Sequence, residues 1–335
     1  MNTLIFGGAG FVGLNLAEHL LRRGDAVTLF DKRPPLDAAM AKFSTLPGKL
    51  TVIGGDVTDA AAVKAAVRMG TDAVFLGAAI TAGQERDAAD PASVLSVNLM
   101  AQIPILEAAR ESGVRRVINL SSAAAYGAAG ERNAVLDEGT PVDPIGLYPI
   151  TKWASERIVA RLGSLWGMDV VSVRLSGVFG PWEHETGVRD TPSPQFQVLR
   201  ALELGKPALL ARPGFRDWTY AIDVAEALAA VAAAPALSRP VLNISAQTPW
   251  SVLEWGQRMA SRFEGGVCRL VEPGERPTID LYSAVDRAPM NATAVAAEVG
   301  WHARFDMPLS ADHLWHWRQS NGLAVGGEPS NGYSP

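Results

Sequence analysis

The sequence predicts an α/β fold, a doubly wound parallel sheet with helices on both faces, followed by a smaller carboxy-terminal lobe. Three observations predict it. Short apolar runs of β type alternate with stretches of helical periodicity through the first half of the chain. A glycine cluster lies between the first run and the first helical stretch. After residue 180 the alternation breaks, where Pro181, Pro192, Pro194, Pro207 and Pro213 interrupt shorter elements.

In chain order, Leu4-Ile5-Phe6 is an apolar run too short for a helix and reads as a buried strand. Residues 11–23 follow with apolar side chains at 12, 16, 17, 20 and 21, a helical spacing, and Gly24 stops that helix. Residues 26–30, 50–53, 73–76 and 116–120 supply four more strands, with helical patterns at 60–69 and 93–111 between them. Residues 170–174 give a sixth strand. Sheets of this class bind ligands beyond the carboxyl ends of their strands, so the lobe after residue 180 is expected to shape a substrate pocket. The organisation expected is a dinucleotide-binding domain over 1–180 and a mainly substrate-binding lobe over 181–320, with room for strands or helices that return to the core. The tail 321–335 is rich in Gly, Ser and Pro, has no apolar period and is expected to be disordered. No internal repeat is present.

Composition narrows the class. The chain has 335 residues, 48% hydrophobic and 19% charged, enough for a sizeable core. A net charge of −5 offers no electrostatic reason to expect nucleic acid or anionic lipid as a partner. One cysteine, Cys268, cannot form an internal disulfide, the start of the chain lacks a signal-peptide pattern, and no apolar run approaches a membrane span. The expectation is a cytoplasmic protein with a small-molecule substrate.

The glycine cluster is Gly7-Gly8-Ala9-Gly10-Phe11-Val12-Gly13, spaced G-x-x-G-x-x-G between strand and helix. Glycines here allow a tight turn, close approach to a pyrophosphate and packing of helix on sheet, while the helix amino terminus offers free N–H groups to the phosphates. Glycine turns often serve packing only, but the strand–turn–helix setting favours a Rossmann-type dinucleotide site over a structural turn. Asp31 ends the second strand, where a carboxylate accepts hydrogen bonds from the adenosine ribose hydroxyls and repels a 2′-phosphate. It favours NAD. Lys32 and Arg33 cut the other way, since either could pair with the extra phosphate of NADP, or they are solvated surface charges. Asp56, in Gly55-Asp56-Val57-Thr58-Asp59, could bond the adenine amino group; taken alone, capping of the helix near Ala60 is the stronger reading, open to Thr58 and Asp59 as well.

Farther on, Tyr148-Pro149-Ile150-Thr151-Lys152 sets a phenol and an ammonium four residues apart, on one face of a helix. A nearby cation favours the phenolate, so the tyrosine pKa is expected below about 10, making it a usable general acid or base. Pro149 disfavours helical geometry at Tyr148, which is expected just before the first turn. Ser122, at the carboxyl end of the fifth strand, could hydrogen-bond a reacting oxygen or simply brace the loop.

Taken in order, Gly7/Gly10/Gly13, Asp31, Asp56-Val57, Asn98, Ser122, Tyr126-Gly127, Tyr148 and Lys152 resemble the extended short-chain dehydrogenase/reductase family, also called the NAD-dependent epimerase/dehydratase family. Residues 174–181 and the segment Arg216-Asp217-Trp218-Thr219-Tyr220-Ala221-Ile222-Asp223-Val224-Ala225 also resemble it, and the likeness covers roughly residues 1–305. The resemblance implies that Tyr148 is the acid/base, that Lys152 binds the nicotinamide ribose and tunes Tyr148, that Ser122 holds the substrate oxygen, and that Ala78 and Ala79 line the nicotinamide site. It implies a cofactor site of Gly7, Gly10, Phe11, Val12, Gly13, Asp31, Lys32, Asp56, Val57, Ala78, Ala79, Asn98, Tyr148 and Lys152, and a homodimer formed by helices at about 93–111 and 149–162.

Departures from the family pattern bear on the substrate. Gly177 stands where many nucleotide-sugar members have an Asn that helps hold the phosphates. Arg216 is kept and suits a diphosphate or a carboxylate, or pairs with Asp217 or Asp223. Ala123-Ala124 replace the Asp-Glu of the sugar 4,6-dehydratases, which argues against elimination chemistry. Cys268 lies too far along to match the acid/base cysteine of 3,5-epimerases. Tyr148-Pro149 resembles plain alcohol dehydrogenases such as the 3β-hydroxysteroid type. The favoured expectation is a dehydrogenase acting on a polyol or sugar acid; the alternatives are a nucleotide-sugar epimerase and a silent NAD-binding regulator. In the polar segment 182–190, Arg189 or His184 is a candidate contact to the substrate, against the reading of a solvated loop. No metal site is expected, and His313 and His316 read as parts of a packed final helix.

Overall fold

The computed structural model describes residues 1–321. Seven parallel strands form the central sheet: β1 (Asn2–Phe6), β2 (Ala26–Asp31), β3 (Lys49–Gly54), β4 (Ala73–Leu76), β5 (Arg116–Ser122), β6 (Asp169–Leu175) and a seventh, Val241–Ile244. Their spatial order is third, second, first, fourth, fifth, sixth, seventh. Both faces are covered by helices, which is why β4 is apolar and buried at every residue. The register pairs Phe6 with Phe30 on one side and with Leu76 on the other. Strand order reverses between β1 and β4, so the loops after these two strands diverge and open a crevice.

Helix α1 (Phe11–Arg22) buries Leu14, Leu16, Ala17, Leu20 and Leu21 against this sheet. It is covered in turn by the alanine-rich helix Ala221–Ala233. That helix and the seventh strand both come from beyond residue 180, so the later half of the chain does return to the core. The rest of the later half has its own aromatic core, where the Phe179 ring meets Tyr220 and Trp250 at 5.3 Å each and Trp255 at 5.9 Å.

Several boundaries differ from expectation. The helix expected over 60–69 ends at Ala66. The one expected over 93–111 begins earlier, at Pro91, with Asp90 accepting from the Ser93 N–H as its cap, and widens into a π-turn over Ser96–Met100. This continuous helix, Pro91–Glu111, is long and apolar enough to cross a membrane by length and composition alone. No single apolar run revealed it because Ser, Asn and Gln are dispersed along it. Val94, Asn98, Ala101, Ile105 and Leu106 are buried in the protein, as in a core helix. The final helix, Met307–Ser320, buries Ala311 and Leu314 and holds His313 at 2.9 Å from the Tyr220 hydroxyl. Of the tail 321–335, expected to be disordered, Asn321 caps this helix; residues 322–335 lie outside the described residues.

Candidate active site

The glycine loop shows why these positions are glycine. Gly7 adopts φ +76°, and a Cβ there would stand 2.6 Å from the Ala78 nitrogen. At Gly13 a Cβ would meet the Gly7 carbonyl at 2.6 Å. Gly10 differs: a Cβ would find only the Gly7 oxygen, at 3.2 Å, and otherwise free space. That space lies at the amino terminus of α1, which has no side-chain cap and no acidic residue in its first turn. The backbone N–H groups of Phe11, Val12 and Gly13 are therefore free to meet an anion, and the cradle fits a dinucleotide pyrophosphate.

Asp31 is locked beside this loop, accepting from the Ala9 N–H at 3.0 Å and the Arg33 N–H at 3.1 Å. Lys32 is paired with Asp56 at 3.0 Å. The Arg33 guanidinium lies against Gly187, 3.2 Å from where a Cβ would stand. Lys32 is thus paired with a carboxylate, while the exposed Arg33 lies over Gly187. Asp56 accepts from the Thr58 N–H at 2.9 Å and hydroxyl at 2.7 Å; these bonds, with Lys32, lower its pKa against the opposing effect of burial. It does not cap the following helix. Asp59 does, accepting from Ala61 and Ala62. Val57 lines an apolar wall with Phe6, Leu76, Ala78 and Val97.

Tyr148 and Lys152 lie on the helix Leu147–Trp166. Tyr148 is inside its first turn, not before it. Pro149 is tolerated because its missing N–H falls among the first four, which have no intrahelical acceptor. Gly146 supplies the non-helical entry at φ +86°, and the Asp87 carboxylate accepts from the Leu147 N–H at 2.8 Å. Lys152 donates to the Leu120 carbonyl at 2.7 Å and stands 5.6 Å from the Tyr148 ring centre. Burial pulls the Lys152 pKa down to about 8, against the pull of Glu156.

The expected lowering of the Tyr148 pKa does not occur. Burial raises it, while hydrogen bonds from Ser122 and Thr81 and the charge of Arg189 work the other way. Lys152 has turned its ammonium to a carbonyl instead. Ser122 also accepts from the Ala124 N–H at 3.1 Å, so it braces its loop as well as facing the phenol. Ala79 follows Ala78 after β4, and Asn98 holds the next residue from both sides. Its oxygen accepts from the Ile80 N–H at 2.8 Å, and its amide donates to the Ile80 carbonyl and the Thr151 hydroxyl at 3.0 Å each. Asn98 is buried with these groups used within the protein, so it braces the cofactor-side loop rather than facing it.

The segment 182–190 is not a solvated loop. Thr81 donates its N–H to the Val188 carbonyl at 2.7 Å and accepts from the Asp190 N–H at 3.1 Å, forming a short parallel bridge with Arg189. Asp190 is gripped by Arg86, at 2.9 Å from its Nε, and by the Gly83 N–H at 2.9 Å. Arg189 consequently points between the glycine loop and Tyr148, its guanidinium 5.8 Å from the Phe11 ring centre. It donates to Glu183 at 2.8 Å and to the Tyr282 hydroxyl at 3.1 Å. Burial opposes its charge, but Tyr282 and Glu183 outweigh that and raise its pKa. His184 faces the Trp182 carbonyl at 2.9 Å.

Gly177 has a steric cause. A Cβ there would stand 2.5 Å from the Trp218 ring, so the indole fills the place of a longer side chain. Arg216 lies across that indole, 5.1 Å from its centre, and 5.4 Å from the Tyr282 ring centre. It pairs with neither Asp217 nor Asp223. Asp217 is held by Arg287, Ser245 and the Met290 N–H, and Asp223 accepts from the Arg304 and Phe305 N–H groups. Among the described residues the Arg216 guanidinium has no hydrogen bond or ion pair. Burial, with Arg287 and Arg212 nearby, lowers its pKa to about 10. Sequence reasoning missed Thr81, Asp87, Glu183 and Tyr282. Thr81, three residues beyond Ala78, carried the one available signal, its place in the loop that follows β4.

Comparison with known proteins agrees with this architecture. The model of the NAD dependent epimerase/dehydratase family matches residues 3–245, and the chain belongs to that family. It is 37% identical over 165 residues to D-erythronate dehydrogenase from Cupriavidus necator, covering 48% of this chain and 50% of that one. It thus spans about half the length of that relative. It is 25% identical over 333 residues to UDP-glucose 4-epimerase from Streptomyces lividans, covering 95% of this chain and 96% of that one. Among solved structures, UDP-glucose-4-epimerase from Stenotrophomonas maltophila with bound NAD superposes with a TM-score of 0.80 at 22% identity, over 96% of this chain and 99% of that chain. NAD is the cofactor of the family, and the Gly10 cradle with Asp31 fits it.

Proposed function

We propose that this protein is an NAD-dependent dehydrogenase that oxidises a secondary alcohol on a small sugar acid or related polyol. The observation that carries the reading is the Trp218 indole packed into the space beside Gly177. It leaves no room at residue 177 for the amide that grips phosphates in nucleotide-sugar members. The partial likeness to D-erythronate dehydrogenase points the same way.

Gly7, Gly10, Phe11, Val12, Gly13 and Asp31 would hold the dinucleotide, and its nicotinamide, when bound, supplies the hydride acceptor. The protein's part is proton transfer and placement. Tyr148, as phenolate, accepts the proton of the substrate hydroxyl while the carbon–hydrogen bond breaks. Ser122 and Thr81 hydrogen-bond the phenol oxygen, and Ser122 would also hold the reacting oxygen. Lys152, once drawn from the Leu120 carbonyl toward the phenolate, stabilises its charge.

Absorbance at 340 nm tests the reading, with purified protein, NAD and a panel of sugar acids, polyols and nucleotide sugars. A steady rise with one free sugar acid or polyol is expected. The second reading, a nucleotide-sugar epimerase with retained NAD, draws on the likeness along almost the whole chain to UDP-glucose 4-epimerase. No rise, together with inversion of a nucleotide sugar seen by NMR, would replace the first reading with the second.

A further inference from the structure

We propose that Arg216 and Tyr282 form a subsite for the substrate's carboxylate, with Trp218 as its floor. This rests on the reading of the protein as a dehydrogenase of small sugar acids.

Arg216 is the starting point. A guanidinium carries five donors and stays charged, and a half-buried one ordinarily finds a carboxylate. The neighbouring cations have done so: Arg287 pairs with Asp217 and Arg212 with Asp286. Arg216 has only aromatic faces, Trp218 at 5.1 Å and Tyr282 at 5.4 Å. These fix the plane of the guanidinium and cover its faces, so its edge donors remain for a ligand. A planar carboxylate is the acceptor that such an edge meets with two parallel bonds.

Tyr282 supplies the second half. Its hydroxyl oxygen accepts from Arg189 at 3.1 Å, which leaves its own O–H to donate. It lies between the two arginines, and Arg189 in turn reaches toward Tyr148. Its backbone sits at φ +71°, a left-handed conformation uncommon for a bulky residue. The contacts thus run from Tyr148 through Arg189 and Tyr282 to Arg216, and the proposal places the reacting carbon at the Tyr148 end and the carboxylate at the Arg216 end.

The test compares D-erythronate with erythritol, which carries a hydroxymethyl group in place of the carboxylate. Initial rates with NAD give kcat/KM for each. Binding to the NADH complex is followed separately by tryptophan fluorescence, since Trp218 lies under the site. In the unsubstituted protein the acid should be preferred over the polyol. Arg216→Met keeps the apolar stem on Trp218 and should cut that preference by about 30-fold or more, mainly through KM. Tyr282→Phe should cut it by about 5-fold, from loss of one hydrogen bond, and its exposed position guards against a folding artefact.

Equal losses on acid and polyol in both variants would mean a packing role and would overturn the subsite. So would tight binding of UDP-glucose that depends on Arg216. The subsite and the dehydrogenase reading can fail separately. Arg216-dependent binding of erythronate without turnover keeps the subsite and removes the dehydrogenase. Turnover of erythronate indifferent to Arg216→Met keeps the dehydrogenase and removes the subsite.

Discussion

Tyr148 sits under opposing influences, and their balance sets the pH behaviour. Burial raises its pKa, so the phenolate fraction grows across the alkaline range. Alcohol oxidation, which needs the phenolate, should rise with pH, and ketone reduction, which needs the phenol, should fall. Tyr148→Phe should lower kcat by about 10²–10⁴-fold while leaving NADH binding, read by fluorescence, in place. Lys152 gives a stability prediction. Its folded pKa, about 8, lies below its ordinary 10.5, so the fold disfavours the charged form. Below pH 8 both states are protonated and the whole penalty applies. Between pH 8 and 10.5 the unfolded chain binds more protons, so stability rises with pH through that window. In the cofactor-free protein Lys152→Met should therefore stabilise the fold at pH 7 by up to ~3 kcal/mol and flatten that rise. Urea midpoints at pH 7 and 10 check this; a lower midpoint in the variant at pH 7 would refute it. Ser122, Tyr148, Lys152 and Asp31 were legible in the sequence because their chemistry depends on local spacing. Tyr282 and the filling of Gly177's space by Trp218 were not, because each is a contact between residues far apart in the chain.

At the scale of elements, the turn after β1 separates two uses of glycine. Gly13→Ala would drive a methyl into the Gly7 carbonyl and should disorder the turn. Gly10→Ala meets little protein, so the thermal midpoint should stay within about 1–2 °C while NADH binding weakens at least tenfold as the methyl enters the pyrophosphate space. Equal NADH affinity would show that the dinucleotide does not cross the α1 amino terminus. The loop 182–190 is held by Arg86 and Asp190. Asp190→Ala should free Arg189 and raise the KM of the substrate with little change in stability, the pair being partly exposed. Strands β1 to β6 could be located from sequence because a sheet covered on both faces demands continuous apolar runs. The seventh, Val-Leu-Asn-Ile, was missed because Asn243 interrupts so short a run. Asn243 is buried and bonds Tyr126 at 2.9 Å, a constraint that local patterning does not contain.

On the scale of the whole molecule, the surface beyond the site carries a prediction about assembly. The helices Pro91–Glu111 and Leu147–Trp166 pack side by side on one face of the sheet. Their inward residues are committed to the core: Ile105 and Leu106 on the first, Val159 on the second. Yet the same helices leave Met100 at 61% and Trp153 at 39% exposure, with Leu95 and Ile150 also open. A helix pair with apolar residues on its outer side as well as its inner gains by burying them against another copy, and the isologous arrangement of two such pairs is a four-helix bundle. The expected species in solution is a homodimer. Light scattering coupled to size exclusion should give twice the 35.5 kDa chain mass. Met100→Glu combined with Trp153→Arg should yield a monomer that keeps its circular dichroism and NADH affinity, because neither side chain reaches the cofactor cradle. The Tyr148 helix would then serve two surfaces, the reacting oxygen at its amino end and the partner along its outer face. A loss of kcat on dissociation, with NADH binding retained, would locate the coupling in that shared helix, whereas a monomeric unsubstituted protein would remove the dimer altogether.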